Sequence, residues 1–178
     1  YPADLPIIAD AASTAAEIAD GLTNAQAREE TAGEVAAIRS AILNNLSGSE
    51  AKHCIALDVL RRVLPADTVV MGDICQIVYT GAFAFDVPAP RLWHYPAGYC
   101  TLGCALPDAI GAKLAMPGTP VVTFAGDGGF MFTVQELVTA AELKLPIPII
   151  LWNNEGLKQI QDDMKLRDIP LVGVGGIN

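Results

Sequence analysis

Two apolar runs separated by a helical pattern constrain the fold of this chain more than any other feature. Residues Pro120–Ala125 and Ile147–Trp152 are almost entirely apolar. The segment Thr133–Leu145 lies between them, and its apolar residues recur at the spacing of one helix face. Apolar strands that alternate with helices are typical of a parallel sheet covered on both sides. The sequence therefore predicts an α/β fold, a three-layer sandwich with a parallel sheet between helices.

The same alternation begins earlier in the chain, at about Glu50. Ile55–Leu64 is predicted as an amphipathic helix, Thr68–Met71 as a β-branched strand and Leu106–Met116 as a helix with an early proline. Thr133-Val134-Gln135-Glu136 has the pattern of a capping box, which predicts the start of the helix between the two apolar runs. We interpret residues 50–178 as one domain.

Residues 1–49 show a different pattern. Leu5–Ala9 is predicted as a short strand, Ser13 as the cap of a helix that ends at Gly21, and Val35–Leu46 as a second helix. We interpret this part as the tail of another domain followed by a linker helix. Because the chain also begins without Met, we expect a piece of a longer protein whose C-terminal end is missing.

Composition and charge exclude several classes of function. Of the 178 residues, 52% are hydrophobic and 17% charged, which is typical of a globular chain. The net charge of −9 argues against nucleic acid binding, and no apolar run reaches the roughly 20 residues that cross a bilayer. The four cysteines form no CxxC, so we expect reduced thiols of a cytoplasmic protein rather than a zinc site.

Polar side chains follow three of the predicted strands. Asp73 and Gln76 come after the first, Asp127 after the second, and Asn153 and Asn154 after the third. In open α/β sheets, ligands bind beyond the carboxyl ends of the strands. We therefore expect these side chains to lie at one edge of the sheet.

The residue types at this edge fit a diphosphate that is bridged to the protein by Mg²⁺. Asp127 and Asn154 supply a carboxylate and an amide oxygen, which Mg²⁺ accepts as ligands. Gly126, Gly128 and Gly129 allow backbone N–H groups to approach an anion closely. The predicted helix that follows adds the positive end of its dipole.

Gly-Asp-Gly and Asn-Asn-Glu-Gly are each ordinary turns when taken alone. Here each follows an apolar strand, and 24 residues separate Gly128 from Asn153. This spacing of "GDG" and "NN" resembles the thiamine diphosphate binding motif. From about Glu50, the chain resembles the C-terminal, diphosphate-binding (PP) domain of the acetolactate synthase and pyruvate decarboxylase superfamily. Residues 1–22 resemble the last strand and helix of that family's central domain.

The resemblance implies a set of metal and cofactor ligands. Mg²⁺ would be bound by the side chains of Asp127 and Asn154 and by the backbone carbonyl of Gly156. The backbone N–H groups of Gly128 and Gly129 would donate to the diphosphate, and Gly126, the first residue of the Gly-Asp-Gly motif, would also contact the cofactor.

The segment "GDICQ", Gly72–Gln76, resembles an earlier phosphate loop of the family. The resemblance implies that Asp73 and Gln76 contact the cofactor. Cys75 stands where the family usually has glycine. If that position requires a positive φ, Cys75 would be strained there.

The segment Tyr99–Ala115 is similar to the family's stretch that holds the thiamine. Leu102 occupies the place of the large apolar residue beneath the bent cofactor, although plain core packing would also explain it. Thr101 is counted with these contacts. The carbonyl of Cys100, another replacement of a usual glycine, would accept a hydrogen bond from the aminopyrimidine.

The resemblance also implies a reaction and the partners that it needs. A 2-oxo acid loses carbon dioxide, and the product leaves as an aldehyde or joins a second carbonyl compound. The family's catalytic glutamate lies in a pyrimidine-binding (PYR) domain, so we expect no catalytic residue in this chain and no activity from it alone. Active sites of the family form between subunits, which implies a PYR domain, in the same protein or a partner chain, and a homodimer or homotetramer.

Two departures weaken the similarity to authentic acetolactate synthases. Ile77 stands where those enzymes usually have His, and Asp163 where they tend to have Trp. Lys158, Gln159, Asp162 and Asp163 follow the metal motif, where this family often meets its substrate. Acidic residues there would suit a cationic 2-oxo acid, such as a guanidino-oxo acid, but a solvated helix face is the simpler explanation.

Two alternatives to a part of a larger decarboxylase or carboligase stay open. The chain would be a small PP-domain subunit that needs a PYR partner chain, or a non-catalytic relative that serves as an assembly module. The presence of Asp127, Gly128 and Asn154 argues against the second alternative.

Overall fold

The chain divides into two compact units. The computed structural model describes residues 2–22, 31–46 and 48–175. The first unit, residues 1–45, contains the helices α1 (Ala11–Gly21) and α2 (Thr31–Asn44). The second unit, residues 46–178, contains the sheet and all candidate site residues.

Helices and strands alternate in the second unit. In chain order they are α3 (Gly48–Val63), β1 (Val69–Gly72), α4 (Gln76–Ala84), β2 (Trp93–His94), α5 (Ala105–Ala115), β3 (Val121–Gly126), α6 (Asp127–Thr133), α7 (Glu136–Glu142), β4 (Ile149–Trp152) and α8 (Lys158–Leu166). Among the described residues, no helix is both long and apolar enough to cross a membrane.

The four strands form one parallel sheet in the order β2-β1-β3-β4. This confirms the predicted α/β class and three of the four predicted strands, at β1, β3 and β4. The central strand β3 is buried along its whole length, whereas β4 lies at the sheet edge and its Leu151 is 48% exposed. The two-residue strand β2 was not predicted, because so short a segment has no periodicity to detect.

Alternate residues of the central strands point into two apolar layers, as the pleat of a strand requires. Val70, Val122 and Phe124 pack in a buried cluster with residues of α3 and α4. Val69 and Val121 pack on the opposite face with residues of α5. The sheet is therefore covered by helices on both faces, as the sequence predicts.

The start of the first unit differs from the prediction. Leu5–Ala9 is irregular rather than a strand, and Ile8 is fully exposed. A strand needs a neighbour for its backbone hydrogen bonds, and the described sheet pairs none with this segment. The helix does end at Gly21, but its cap is Asp10 instead of Ser13. Asp10 Oδ1 accepts a hydrogen bond from the Ser13 N–H at 2.9 Å.

The segment between β3 and β4 also corrects the prediction. Helix α6 begins at Asp127, directly after β3, and ends at Thr133, where the sequence predicts a helix start. The capping box does not form, because Thr133 is the last residue of α6 and not a helix N-cap; its hydroxyl donates to the Gly103 carbonyl at 2.7 Å. The positive helix end beside the Gly-Asp-Gly motif therefore belongs to α6. The next helix, α7, leaves Val138 61% exposed.

Candidate functional site

The carboxyl ends of β1, β3 and β4 bring the predicted site segments together. The Gly156 N–H donates to Asp127 Oδ2 at 2.8 Å. Asn154 Nδ2 donates to Gln76 Oε1 at 3.4 Å, although the two residues lie 78 positions apart. Parallel pairing explains this, because it sets the ends of neighbouring strands at one edge of the sheet.

Three oxygen atoms converge where the Asn154 side chain meets Asp127. In the orientation in which Asn154 Nδ2 donates to Gln76, its Oδ1 faces only acceptors, the Asp127 carboxylate and the Gly156 carbonyl; with the amide turned over, its NH₂ group would donate to both instead. Oxygen atoms with no proton between them repel each other unless a cation lies among them. A carboxylate, an amide oxygen and a backbone carbonyl are ligands that Mg²⁺ accepts. The donor set therefore fits a small, hard cation.

Packing explains why a second glycine, Gly129, follows the Gly-Asp-Gly motif. A Cβ atom on Gly129 would lie 2.3 Å from Asp73 Oδ2, so no side chain fits there. The first N–H groups of α6, which include those of Gly128 and Gly129, have no acceptor within the helix. They are available to donate to an anion at this helix end.

Asp73 is a buried anchor between two segments of the site. Its carboxylate accepts hydrogen bonds from the Gly103 N–H at 2.9 and 3.0 Å and from the Ile74 N–H at 2.8 Å. Burial raises the pKa of Asp73, and these N–H groups oppose the shift. Asp73 is only 1% exposed and is absent from the lining of the cleft described below. Its carboxylate positions the loop before α5.

Cys75 fits its position without backbone strain, because that position does not require a positive φ. Its φ is −144° and its ψ is 158°, which is ordinary extended backbone. The side chain is buried in the core cluster beneath α4. Burial raises the pKa of the Cys75 thiol to about 12.

Cys100, in contrast, does adopt a left-handed conformation, with a φ of 55°. This region costs a residue with a Cβ about 1–2 kcal/mol, so glycine would adopt the conformation of Cys100 more readily. Cys100 and Leu102 line the cleft, whereas the exposed Thr101 does not. Gly103 has a φ of 84°, and a Cβ there would lie 2.8 Å from that of Phe132.

A cleft of about 220 Å³ connects these segments. Its lining comprises Ile74, Cys75, Gln76, Tyr79, Cys100, Leu102, Gly126, Asp127, Gly128, Gly129, Asn154, Gly156, Leu157, Lys158, Gln159 and Ile160. It thus contains all the predicted cofactor residues except Asp73 and Thr101. A second cavity of about 470 Å³ borders Asp127 and Gly128, and aromatic side chains of α6 contribute to its wall.

Tyr79 and Leu157 are among the cleft residues that sequence reasoning missed. Tyr79 follows Gln76 by three positions on α4, and this helical spacing was the available signal. The role of α8 was also underestimated. Gln76 Nε2 donates to Asp162 Oδ2 at 3.1 Å and to Gln159 Oε1 at 3.3 Å, so the start of α8 belongs to the hydrogen-bond network of the site.

Comparison with known proteins agrees with this arrangement. The family described as "Thiamine pyrophosphate enzyme, C-terminal TPP binding domain" matches residues 73–169. A solved structure, the thiamine diphosphate-dependent 4-hydroxybenzoylformate decarboxylase of Rhodococcus jostii RHA1, is similar with a TM-score of 0.64 and 26% identity. The similarity covers 71% of this chain and 24% of that one.

Two curated relatives differ in how much of this chain they match. The "Probable 2-ketoarginine decarboxylase AruI" of Pseudomonas aeruginosa is 44% identical over 177 residues, 98% of this chain and 32% of that protein. The acetolactate synthase isozyme 1 large subunit of Escherichia coli is 39% identical over 114 residues, 64% of this chain and 20% of that protein. The chain thus spans a third or less of the length of these relatives.

The family match extends from the loop after β1 to the end of α8. It includes the parallel strand ends, the Gly-Asp-Gly motif and the paired asparagines that form the cleft. The chain therefore belongs to the thiamine pyrophosphate enzyme family, as its C-terminal cofactor-binding domain.

Proposed function

We propose that this chain is the cofactor-binding part of a thiamine diphosphate- and Mg²⁺-dependent enzyme that decarboxylates or carboligates 2-oxo acids. The observation that carries the proposal is the convergence of oxygen atoms from Asp127, Asn154 and Gly156 beside the free N–H groups of α6. The similarity to decarboxylases and acetolactate synthases supports the reaction class.

The predicted metal and diphosphate ligands of the cleft have the following proposed roles. Asp127, Asn154 and the Gly156 carbonyl hold Mg²⁺, and the N–H groups of Gly128 and Gly129 donate to the diphosphate. When bound, thiamine diphosphate supplies electron withdrawal during cleavage of the bond beside the keto group.

The thiamine half of the cofactor would lie against the loop before α5. Leu102 supports it from below, and the Cys100 carbonyl accepts a hydrogen bond from its amino group. Gln76, on the opposite wall, fixes the neighbouring Asn154 side chain. Asp73 and Thr101 act from outside the cleft, Asp73 by anchoring this loop. The glutamate that activates the cofactor comes from a PYR domain.

The proposed enzyme is an oligomer, a homodimer or homotetramer. Exposed apolar side chains on α6 and α7 support a partner surface, because large apolar patches seldom face water. We assign residues 1–49 to the tail of a central domain and a linker helix, which agrees with the separate compact unit that ends at residue 45. The four free cysteines suit a cytoplasmic location.

Substitution of a metal ligand tests the proposal. In the intact enzyme, Asp127→Ala should weaken Mg²⁺-dependent binding of thiamine diphosphate by more than about 100-fold, beyond the usual cost of changing an outer partner. Isothermal titration calorimetry measures this affinity. The control is Glu155→Gln, which removes a charge in the metal loop without removing a ligand. Unchanged affinity of the Asp127 variant would refute the metal assignment.

We further propose a 2-oxo acid with a cationic side chain as the substrate. Asp162 and Asp163 lie on α8, whose first residues line the cleft. The relative named as a 2-ketoarginine decarboxylase is similar over nearly the whole chain, which supports this choice.

A matched pair of substrates tests the charge directly. The guanidino 2-oxo acid and its ureido analogue have nearly the same shape, but only the first carries a positive charge. The intact enzyme should show a kcat/KM at least about 10-fold higher for the charged compound, equivalent to about 1.4 kcal/mol. Equal kcat/KM values for both compounds would exclude recognition of the charge.

A further inference from the structure

We propose that Asp162 and Gln76 form a relay that orients the Asn154 amide with its oxygen toward the metal site. The inference rests on the proposed Mg²⁺ site and assigns it two positioning residues that do not bind the metal. The three side chains come from three separate segments, the first turn of α4, the loop after β4 and the middle of α8.

The relay consists of two consecutive hydrogen bonds. Gln76 Nε2 donates to Asp162 Oδ2 at 3.1 Å, and Gln76 Oε1 accepts from Asn154 Nδ2 at 3.4 Å. Lys158 Nζ lies 3.4 Å from the other carboxylate oxygen of Asp162, which leaves Oδ2 for Gln76. Gln159 also accepts from Gln76, at 3.3 Å.

Asp162 gives this chain of amides one direction, whereas the Asp127 carboxylate at the other end favours the reverse. An ionised carboxylate accepts hydrogen bonds and cannot donate them, whereas an amide presents a donor on one side and an acceptor on the other. Asp162 therefore draws the NH₂ group of Gln76, which turns the Gln76 oxygen toward Asn154. That oxygen draws the NH₂ group of Asn154, so the Asn154 oxygen faces Asp127. Gln159 is an amide and imposes no direction.

The opposite orientation of Asn154 would close the metal site. With its amide turned over, Asn154 would donate to Gly156 O at 2.8 Å and to Asp127 Oδ1 at 3.3 Å. Its NH₂ group would then occupy the position from which an oxygen ligates the cation. Without a cation, the turned-over amide makes two hydrogen bonds against one at 3.4 Å; once Mg²⁺ lies among the oxygen atoms, the bond to Gln76 stabilises the orientation that binds it.

Calorimetric titration of Mg²⁺ into the intact enzyme, with thiamine diphosphate present, tests the relay. Asp162→Asn keeps the shape of the side chain but removes its fixed direction, and we expect the Mg²⁺ affinity to fall by about 10-fold, as for outer partners of metal ligands. The matched control is Asp163→Asn, which removes the same charge one position later and should leave the affinity unchanged. Equal losses in both variants would overturn the relay.

A double-mutant cycle separates orientation from general structure. In Asn154→Asp, the two side-chain oxygens are equivalent and need no orientation, so adding Asp162→Asn should cause no further loss of Mg²⁺ affinity. A loss of the same size in both backgrounds would overturn the relay. Gln76→Met provides a second test. It should lower the Mg²⁺ affinity by about 10-fold, and adding Asp162→Asn to it should then cause no further loss of affinity.

The outcomes also distinguish this inference from the proposed function. An unaltered enzyme that binds thiamine diphosphate without any Mg²⁺ dependence would refute the metal site itself. Normal Mg²⁺ binding in the unaltered enzyme together with unchanged affinity in Asp162→Asn would refute only the relay.

Discussion

The backbone N–H of Gly103 donates to both carboxylate oxygens of Asp73, at 2.9 and 3.0 Å. The contact joins the end of β1 to the loop that carries Cys100 and Leu102. Because Asp73 is buried and also accepts from the Ile74 N–H, one carboxylate determines how two walls of the cleft meet.

Removal of this carboxylate should destabilise the domain. Asp73→Ala leaves the N–H groups of Gly103 and Ile74 without their acceptor, and each buried unsatisfied donor costs about 1–3 kcal/mol. We therefore expect the free energy of unfolding in urea to fall by at least about 2 kcal/mol. Asp67→Ala is the control, since that side chain is exposed and should leave the midpoint unchanged. Similar midpoints for both variants would contradict the anchoring role.

Two helical glycines should respond oppositely to alanine. Gly129→Ala places a Cβ atom 2.3 Å from Asp73 Oδ2, and overpacking of this kind costs about 1–3 kcal/mol. Gly111 on α5 has open space around its Cβ position, so Gly111→Ala should stabilise the helix by about 1 kcal/mol. Thermal unfolding of both variants measures the difference. A Gly129 variant as stable as the parent protein would show that the Asp73 side chain moves away freely.

The buried His53 should make stability depend on pH. Its Nδ1 lies 2.8 Å from Thr80 Oγ1, and its ring packs edge-on against Trp152. Burial lowers the pKa of His53 below 6.5, and the charge of Glu50 opposes the shift. The unfolded chain therefore takes up a proton at a higher pH than the folded chain.

The free energy of unfolding should consequently decrease as the pH falls below 6.5, until the folded protein is protonated as well. The slope contributed by one histidine is at most about 1.4 kcal/mol per pH unit. His53→Gln should remove this contribution, whereas replacement of the exposed His94 by Gln should retain it. Identical urea midpoints across pH for the parent and His53→Gln would refute the assignment.

The cysteines should differ in their reactivity toward iodoacetamide at neutral pH. Burial raises the pKa of Cys75 to about 12, so its reactive thiolate is scarce, and Cys100 is exposed at the cleft. Mass spectrometry should find Cys100 labelled first and Cys75 last. Thiamine diphosphate with Mg²⁺ should slow the labelling of Cys100 by covering the cleft. If thiamine diphosphate and Mg²⁺ leave the rate of Cys100 labelling unchanged, the proposed position of the cofactor in the cleft would be contradicted.

The sequence predicted the layers of the fold and the edge at which the site lies. Apolar runs such as Pro120–Ala125 indicate strands that are buried on both faces. Parallel pairing of two such strands then brings Asp127 and Asn154 to the same edge of the sheet. The spacing of these two motifs also led to the family. These features depend on local periodicity and on topology, which a single sequence expresses well.

Tertiary hydrogen bonds decided the features that the sequence did not predict. Thr133 has the local pattern of a helix cap, yet its hydroxyl bonds to Gly103, 30 positions away. The first turn of α6 contains Gly128 and Gly129, which local propensity disfavours in a helix. The close approach of Asp73 explains the glycine at position 129. The bond from Gln76 to Asp162 spans 86 positions and leaves no local pattern at all.

The hydrogen bonds from Gln76 to α8 have a consequence for the evolution of new substrate ranges. Helix α8 begins within the cleft and carries the residues proposed to meet the substrate. Since Asp162 on this helix is also proposed to orient a metal ligand, substitutions that alter substrate choice should not be independent of metal retention. Adaptation or laboratory selection should therefore vary Asp163 and exposed α8 positions freely while keeping Asp162 and Gln76 as a pair.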